Sequence, residues 1–349
     1  MRTLANDLDY LATRLHARRS RMAEGDRLTA LCRARALPEL ERAVIPGMEP
    51  TDLPQFHRRL MRELAAEIFA SLKHLDAEDR ELVAWLLVRF QVENAKVLLR
   101  GVLNRIPREA LLPHLVPLPG EFKAAGLPAA KSLDEFAARL PPGPPRNRLH
   151  AVLLVQREQT PAFIFEAALD AGYFQELLAR SRRLHSGEAE LLQPLVSQET
   201  NLFELMVILR GRFHFHLSAE TLSLLRLAGK DRPTWLTVAA AAPDALSAAK
   251  GAVGSVIDSL PDTEEPAGTA GALELATVES LGWHRFQRIA NAVFRRSHMG
   301  IAAVAAYFAL RRIEIANLVT VSEGLRLGIE EAAIRARLVP RLDQEVAHV

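Results

Sequence analysis

Apolar residues recur along most of this chain at helical spacing. Leu202, Leu205, Met206 and Leu209 fall at i, i+3, i+4 and i+7, the pattern of a helix that buries one side. Period-two alternation, which a half-buried strand needs, is scarce. The stretch AFIFEAALDAGYFQELLARSRRL at 162–184 predicts a helix interrupted near Gly172, with Phe163, Phe165, Tyr173 and Phe174 available for packing. The pattern therefore predicts an all-α protein. Two stretches break it, LPPGPPRNR at 140–148 and SLPDTEEPAGTAGA at 259–272, and both read as linkers from their Pro and Gly content or their uncompensated acid. Cutting there predicts helical units at 1–140, 149–258 and 272–349, each domain-sized or slightly smaller and open to exchanging helices with its neighbours.

One layout occurs in each unit. VENAKVLLRG around Asn94, QETNLFELMVILRG around Asn201 and IEIANLVTVSEGLRLG around Asn317 each carry a preceding acid (Glu93, Glu199, Glu314), the amide, a helical apolar run, then arginine and glycine. The glycines are Gly101, Gly211 and Gly328, and a Leu-rich stretch follows each. The period is that of a whole domain, not of a solenoid with its repeat of about 20–50 residues. Two physical readings of the amides stand. Facing a bundle interior, each must find partners, since an unsatisfied one costs about 1–3 kcal/mol, and it then specifies one packing arrangement. At the edge of the apolar stripe it is simply solvated.

Composition sharpens the picture. At 349 residues the chain exceeds the roughly 250–300 at which single cores stop growing, so several packing units are expected. Hydrophobic residues at 49% and charged residues at 25% suit a folded protein, and the abundance of Ala, Leu, Arg and Glu favours helix. Cys32 is the only cysteine, which excludes an internal disulfide or a thiolate zinc cluster and fits a reducing compartment. The amino terminus lacks an apolar segment with a cleavage site, so no secretory signal is expected. The longest uncharged apolar run, Met299 to Leu310, is shorter than the ~20 residues of a spanning helix, so membrane contact is expected only through partners. A net charge of +2 supplies no global field for nucleic acid or anionic lipid.

No catalytic constellation emerges. His214 and His216 in FHFH could share a metal only on an extended segment, and no third ligand lies nearby, so packing at a helix end is the expected role. Gly229 and Lys230 in AGKDRP lack the upstream glycine and following Ser or Thr of a phosphate loop, and with GAVGSV they read as turns. No catalytic residue, metal or cofactor is expected. Arg14, Arg18 and Arg21 form a basic stripe at helical spacing. A solvated face is its default reading, and contact with a partner protein its active one. A helical scaffold or nucleic-acid-binding protein using this stripe is the alternative, although Tyr10 is the only aromatic there for base stacking.

In AAYFALRRIEIANLVTVSEGLRLGIEEAAIRARL, FEAALDAGYFQELL and RLHARRSRMAEGDRLTALCRARALPEL the chain resembles the C subunit of bacterial and archaeal V-type (A-type) ATPases and ATP synthases, equivalent to the d subunit of eukaryotic vacuolar ATPases. The likeness covers nearly the whole chain. Glu314 and Asn317 match the family's Glu-x-x-Asn pair, Gly324 and Gly328 its glycine exit, and Glu166, Asp170, Tyr173 and Phe174 its Glu, Asp and paired aromatics. The chain departs where the family often has Asp before the first Asn, here Gln91, Val92 and Glu93, and where Leu325 and Arg326 stand near the exit in place of lysine. The resemblance implies three similar helical bundles in a funnel with pseudo-threefold symmetry. Its mouth would hold the central-shaft subunits (D/F type) of the catalytic head, and its base would rest on the proteolipid ring. It implies a non-catalytic central-stalk component of a proton- or sodium-translocating ATPase, on the inner face of the cell membrane, with no cofactor and no nucleic acid.

Overall fold

In the computed structural model, which describes residues 4–47, 49, 51–119, 130–156, 160–227, 233–261 and 275–341, every named element is a helix. Helices α1 (Leu4–Arg19), α2 (Gly25–Leu31) and α3 (Leu37–Val44) lead into a hairpin of α4 (Leu53–Ser71) and α5 (Ala77–Leu103), followed by the short α6 (Arg108–Leu111). After α7 (Leu133–Arg139) and α8 (Pro144–Leu153) comes a second hairpin, α9 (Ala162–Ser181) and α10 (Ser186–Ile208), with α11 (Ala219–Leu225), α12 (Thr234–Ala241) and α13 (Ala245–Gly251) behind it. A third hairpin, α14 (Leu275–Ser297) and α15 (Ile301–Leu327), precedes α16 (Glu331–Arg335). Among the described residues no strand forms, and the one β-bridge pairs Val253 with Ile257. The all-α expectation holds.

Local sequence starts several of these helices. Asp52 accepts the Gln55 N–H at 2.8 Å and Asp76 the Asp79 N–H at 2.9 Å, so α4 and α5 begin where an aspartate satisfies a backbone donor that the first turn leaves free. Ser218 and Asp244 do the same for α11 and α13.

The 140–148 stretch is not slack. Gly143 turns with φ +149°, and Pro144 opens α8, whose Leu149 and Val152 are buried. Helix α8 lies against α9. Nor is α9 interrupted at Gly172; it runs unbroken through that residue. A Cβ there would fall closer than 3.0 Å to backbone atoms of Pro144 and Pro145, so the glycine admits the start of α8 rather than breaking α9. Of the 259–272 stretch, residues 262–272 lie outside the described residues.

The apolar run near the end of the chain explains the core. Residues 301–310 of α15 are buried on every side, as expected of a helix without a polar face, and α15 packs against α14, α4, α10, α1 and α3. The main core extends from Leu11 to Leu338, and a second cluster gathers Leu205, Trp235, Val256, Ile257 and Val278. Phe165, Tyr173 and Phe174 are buried in the main core, while Phe163 stacks on Phe215 with centroids 5.0 Å apart. Among the described residues no helix is long and apolar enough to cross a membrane.

Candidate functional site: a repeated helix exit and a buried ion triad

Three long helices end in the same way. Asn94 on α5 is 1% exposed; its Nδ2 donates to the Val116 carbonyl at 2.9 Å, and its Oδ1 accepts the Val116 N–H at 2.7 Å. Asn317 on α15 is 4% exposed and forms the same two bonds with Val339, at 2.7 and 2.9 Å. An amide carries both donor and acceptor, so one side chain satisfies both backbone groups of a returning segment and clips it to the helix. In the middle copy the side chain at this place is Glu204, not Asn201. Glu204 accepts the Leu227 N–H, and because a carboxylate cannot donate to the carbonyl, Arg226 approaches its other oxygen at 3.2 Å instead. Asn201 lies one turn earlier and is partly exposed.

A glycine follows each clipping residue at i+7. A Cβ on Gly101, Gly211 or Gly324 would fall closer than 3.0 Å to Leu111, Leu222 or Ile334, so each glycine makes room for the chain folding back. Their carbonyls accept the N–H of Ile106, Leu217 and Ile329 at 2.8, 2.8 and 2.9 Å. Gly328 therefore differs from Gly101 and Gly211: with φ +65° it is the left-handed cap of α15, the place that Arg105 (φ +54°) and His216 (φ +52°) take in the other copies. The middle copy has one residue more after its glycine, and a π-helical turn at Leu209–His214 accommodates it.

About three turns before the exit glycines, the repeat brings charges together. Arg89, Glu199 and Arg312 each stand five residues before the clip, on α5, α10 and α15. They meet: Glu199 Oε1 lies 3.1 Å from Arg89 Nη1 and 2.7 Å from Arg312 Nη2, and the Glu199 side chain is 8% exposed. Arg89 also lies over the rings of Tyr173 and Phe174, and Arg312 over those of Trp283 and Phe286. Burial pushes the Glu199 carboxyl up, but Arg312 and Arg89 outweigh it and hold it below its ordinary range; burial opposes the charge of Arg89, and Glu199 outweighs that. Burial, with Glu199 adding to it, pushes the Tyr173 hydroxyl to about 12. With Glu199 held ionised between two guanidiniums, the cluster can lock three helices together but its carboxylate is not poised to exchange a proton.

Around the triad, ion pairs tie the hairpins together. Lys96 on α5 reaches Asp170 on α9 at 2.6 Å, and Arg100 grips Glu166 with both nitrogens at 2.5 and 2.8 Å. Glu314 accepts the Ala23 N–H at 2.6 Å and pairs with Arg311, binding the turn after α1 to α15. Tyr307 donates to Glu67 at 2.7 Å, and Arg18 pairs with the same carboxylate. Of the predicted basic stripe, Arg18 is thus paired with Glu67 although its side chain is 38% exposed, Arg14 is partly exposed and Arg21 is exposed. His214 stacks edge-on against Phe215, and among the described residues no group of His, Cys, Asp and Glu could hold a metal. Gly229 and Lys230 lie outside the described residues.

Replacing Asn94 with leucine is expected to cost about 2 kcal/mol, because both backbone groups of Val116 lose their partner. Glu204→Leu should cost a similar amount, and Asn201→Leu less than about 1 kcal/mol. Urea unfolding of the three variants is the measurement. Equal losses at Asn201 and Glu204 would refute the placement of the clip.

The likeness to known proteins spans all three of these helix exits. Residues 11–337 match the family described as ATP synthase (C/AC39) subunit. The chain is 23% identical to the C subunit of the A-type ATP synthase of Methanocaldococcus jannaschii over 95% of this chain and 86% of that one. It is also 23% identical to the C subunit of the V-type ATP synthase of Deinococcus radiodurans, over 57% of this chain and 64% of that one.

Proposed function

This chain belongs to the ATP synthase (C/AC39) subunit family, and from that premise we propose that it is the non-catalytic central-stalk component of a rotary V/A-type ATPase, coupling the proteolipid ring of the membrane sector to the shaft of the catalytic head. The observation that carries the reading is the triad. The same place in three copies of one helix exit converges on a single buried ion cluster, which joins α5, α10 and α15 into one stiff body. Close-packed helical interiors resist compression, so such a body transmits load between two partners without doing chemistry. The convergence also supports three bundles, at 1–140, 149–258 and 272–349, arranged as a funnel with pseudo-threefold symmetry. Docked to the ring, the protein would sit peripherally on the inner face of the membrane and touch lipid only through the complex.

The test is affinity purification of the tagged chain from native membranes under mild detergent. Shaft subunits and the proteolipid are expected in the eluate. Recovery of the chain free of ATPase subunits, or bound to nucleic acid that salt removes, would overturn the reading.

A further inference from the structure

Apart from the clips and the triad, α4 and the segment 113–117 bound a cleft of about 710 Å³. Arg58, Arg59 and Arg62 line it. The carboxylate at its edge, Asp52, is already occupied, accepting the Gln55 N–H at 2.8 Å and Gln55 Nε2 at 3.0 Å. None of the three arginines has a hydrogen-bond, ion-pair or ring partner among the described residues, and Arg58 Nε is out of reach of solvent without one. Elsewhere Arg18, Arg89, Arg100, Arg226 and Arg312 all meet carboxylates. Arg58 and Arg62 stand at i and i+4, where like charges repel along a helix. Their grouping gains the fold nothing, and an anionic partner would offset it.

We propose that this cleft receives an extended acidic segment of a partner protein, with carboxylates on alternate residues facing Arg58 and Arg62. Four residues of helix rise about 6 Å, and alternate residues of an extended chain lie about 6.6 Å apart, so the two patterns run in register. Guanidinium pairs with carboxylate through two parallel bonds, which fixes direction as well as energy. Pro54, Pro113 and Pro117 form the walls, and their fixed φ angles keep the cleft open before anything enters, which lowers the entropic cost of binding. The only aromatic ring in the lining is the imidazole of His114, too little for a platform that stacks successive bases, and no long aliphatic side chain is present for entering lipid, which favours a peptide over nucleic acid or a membrane surface. The inference goes beyond the coupling role, because it concerns the chemistry of one cleft whichever assembly supplies the segment.

The experiment titrates the full chain into a fluorescein-labelled peptide of alternating Glu and Ser and follows anisotropy. Binding that weakens with added salt is expected, and R58Q/R59Q/R62Q should weaken it by about tenfold or more, while R295Q/R296Q, at two exposed arginines on α14, leaves it unchanged. Thermal melting of the triple variant verifies folding; should it fail to fold, R58Q and R62Q singly must each weaken binding. Undiminished binding by the folded variant, absence of binding by the wild type, or a preference for inorganic phosphate or phosphatidylserine vesicles over the peptide would each overturn the proposal. Failure of co-purification with ATPase subunits would leave these outcomes unchanged, so the two readings fall separately.

Discussion

Glu199→Leu is expected to lower the stability of this protein by about 3–5 kcal/mol, a large fraction of the roughly 5–15 kcal/mol that a typical domain has. The change removes one carboxylate and leaves Arg89 and Arg312 facing each other from α5 and α15 with their common counter-charge gone. The Arg89 and Arg312 side chains are only 22% and 19% exposed, so water replaces the lost partner only in part. The aromatic rings beside them offset a fraction of this, about 0.5–2 kcal/mol each. The companion variant E199L/R89M/R312M should recover most of the loss, because replacing a whole buried ion cluster by packed apolar side chains is often neutral. Denaturant unfolding of both variants gives the comparison. A Glu199→Leu protein within about 1 kcal/mol of wild type, well below the roughly 3 kcal/mol expected, would show that the triad does not hold the three hairpins together.

The second large effect is expected at Gly172. In an exposed helix, Gly→Ala stabilises by about 1 kcal/mol. Here the added methyl would fall on the backbone of Pro144 and Pro145, which cannot rotate away as a side chain can. Overpacking costs about 1–3 kcal/mol and more where no side chain can yield, so Gly172→Ala should destabilise by about 3 kcal/mol net, with α8 displaced from α9. Gly187→Ala is the control, since nothing lies within 4 Å of its Cβ and its helix should gain. Unfolding midpoints of the two variants moving in the same direction would contradict the close approach of α8 and α9.

The middle copy of the repeat shows where reading the chain alone stops. Asn94 and Asn317 stand out because an amide within an apolar stripe is visible in the sequence. Glu204 does not, because an acid in a helix ordinarily faces solvent, and Asn201 nearby presents the same chemical name as its counterparts. One signal was available: Asn94 to Gly101 and Asn317 to Gly324 share a spacing of seven, which Glu204 to Gly211 keeps and Asn201 to Gly211 does not. The extra residue in the π-helical turn hides the repeat further along.

Hydrophobic period alone determined that the chain is helical and which aromatics are available to pack, because burying one face of a helix is a local property of residue order. The family resemblance was legible too, in the motifs of α1 to α3, α9 and α15. Whether Gly172 breaks a helix or receives a neighbour, which acid clips the returning chain, and that Arg89, Glu199 and Arg312 share one charge cluster were decided only by the tertiary structure. Those outcomes depend on contacts between helices far apart in sequence, and a charge or a missing side chain carries no record of what will be brought against it.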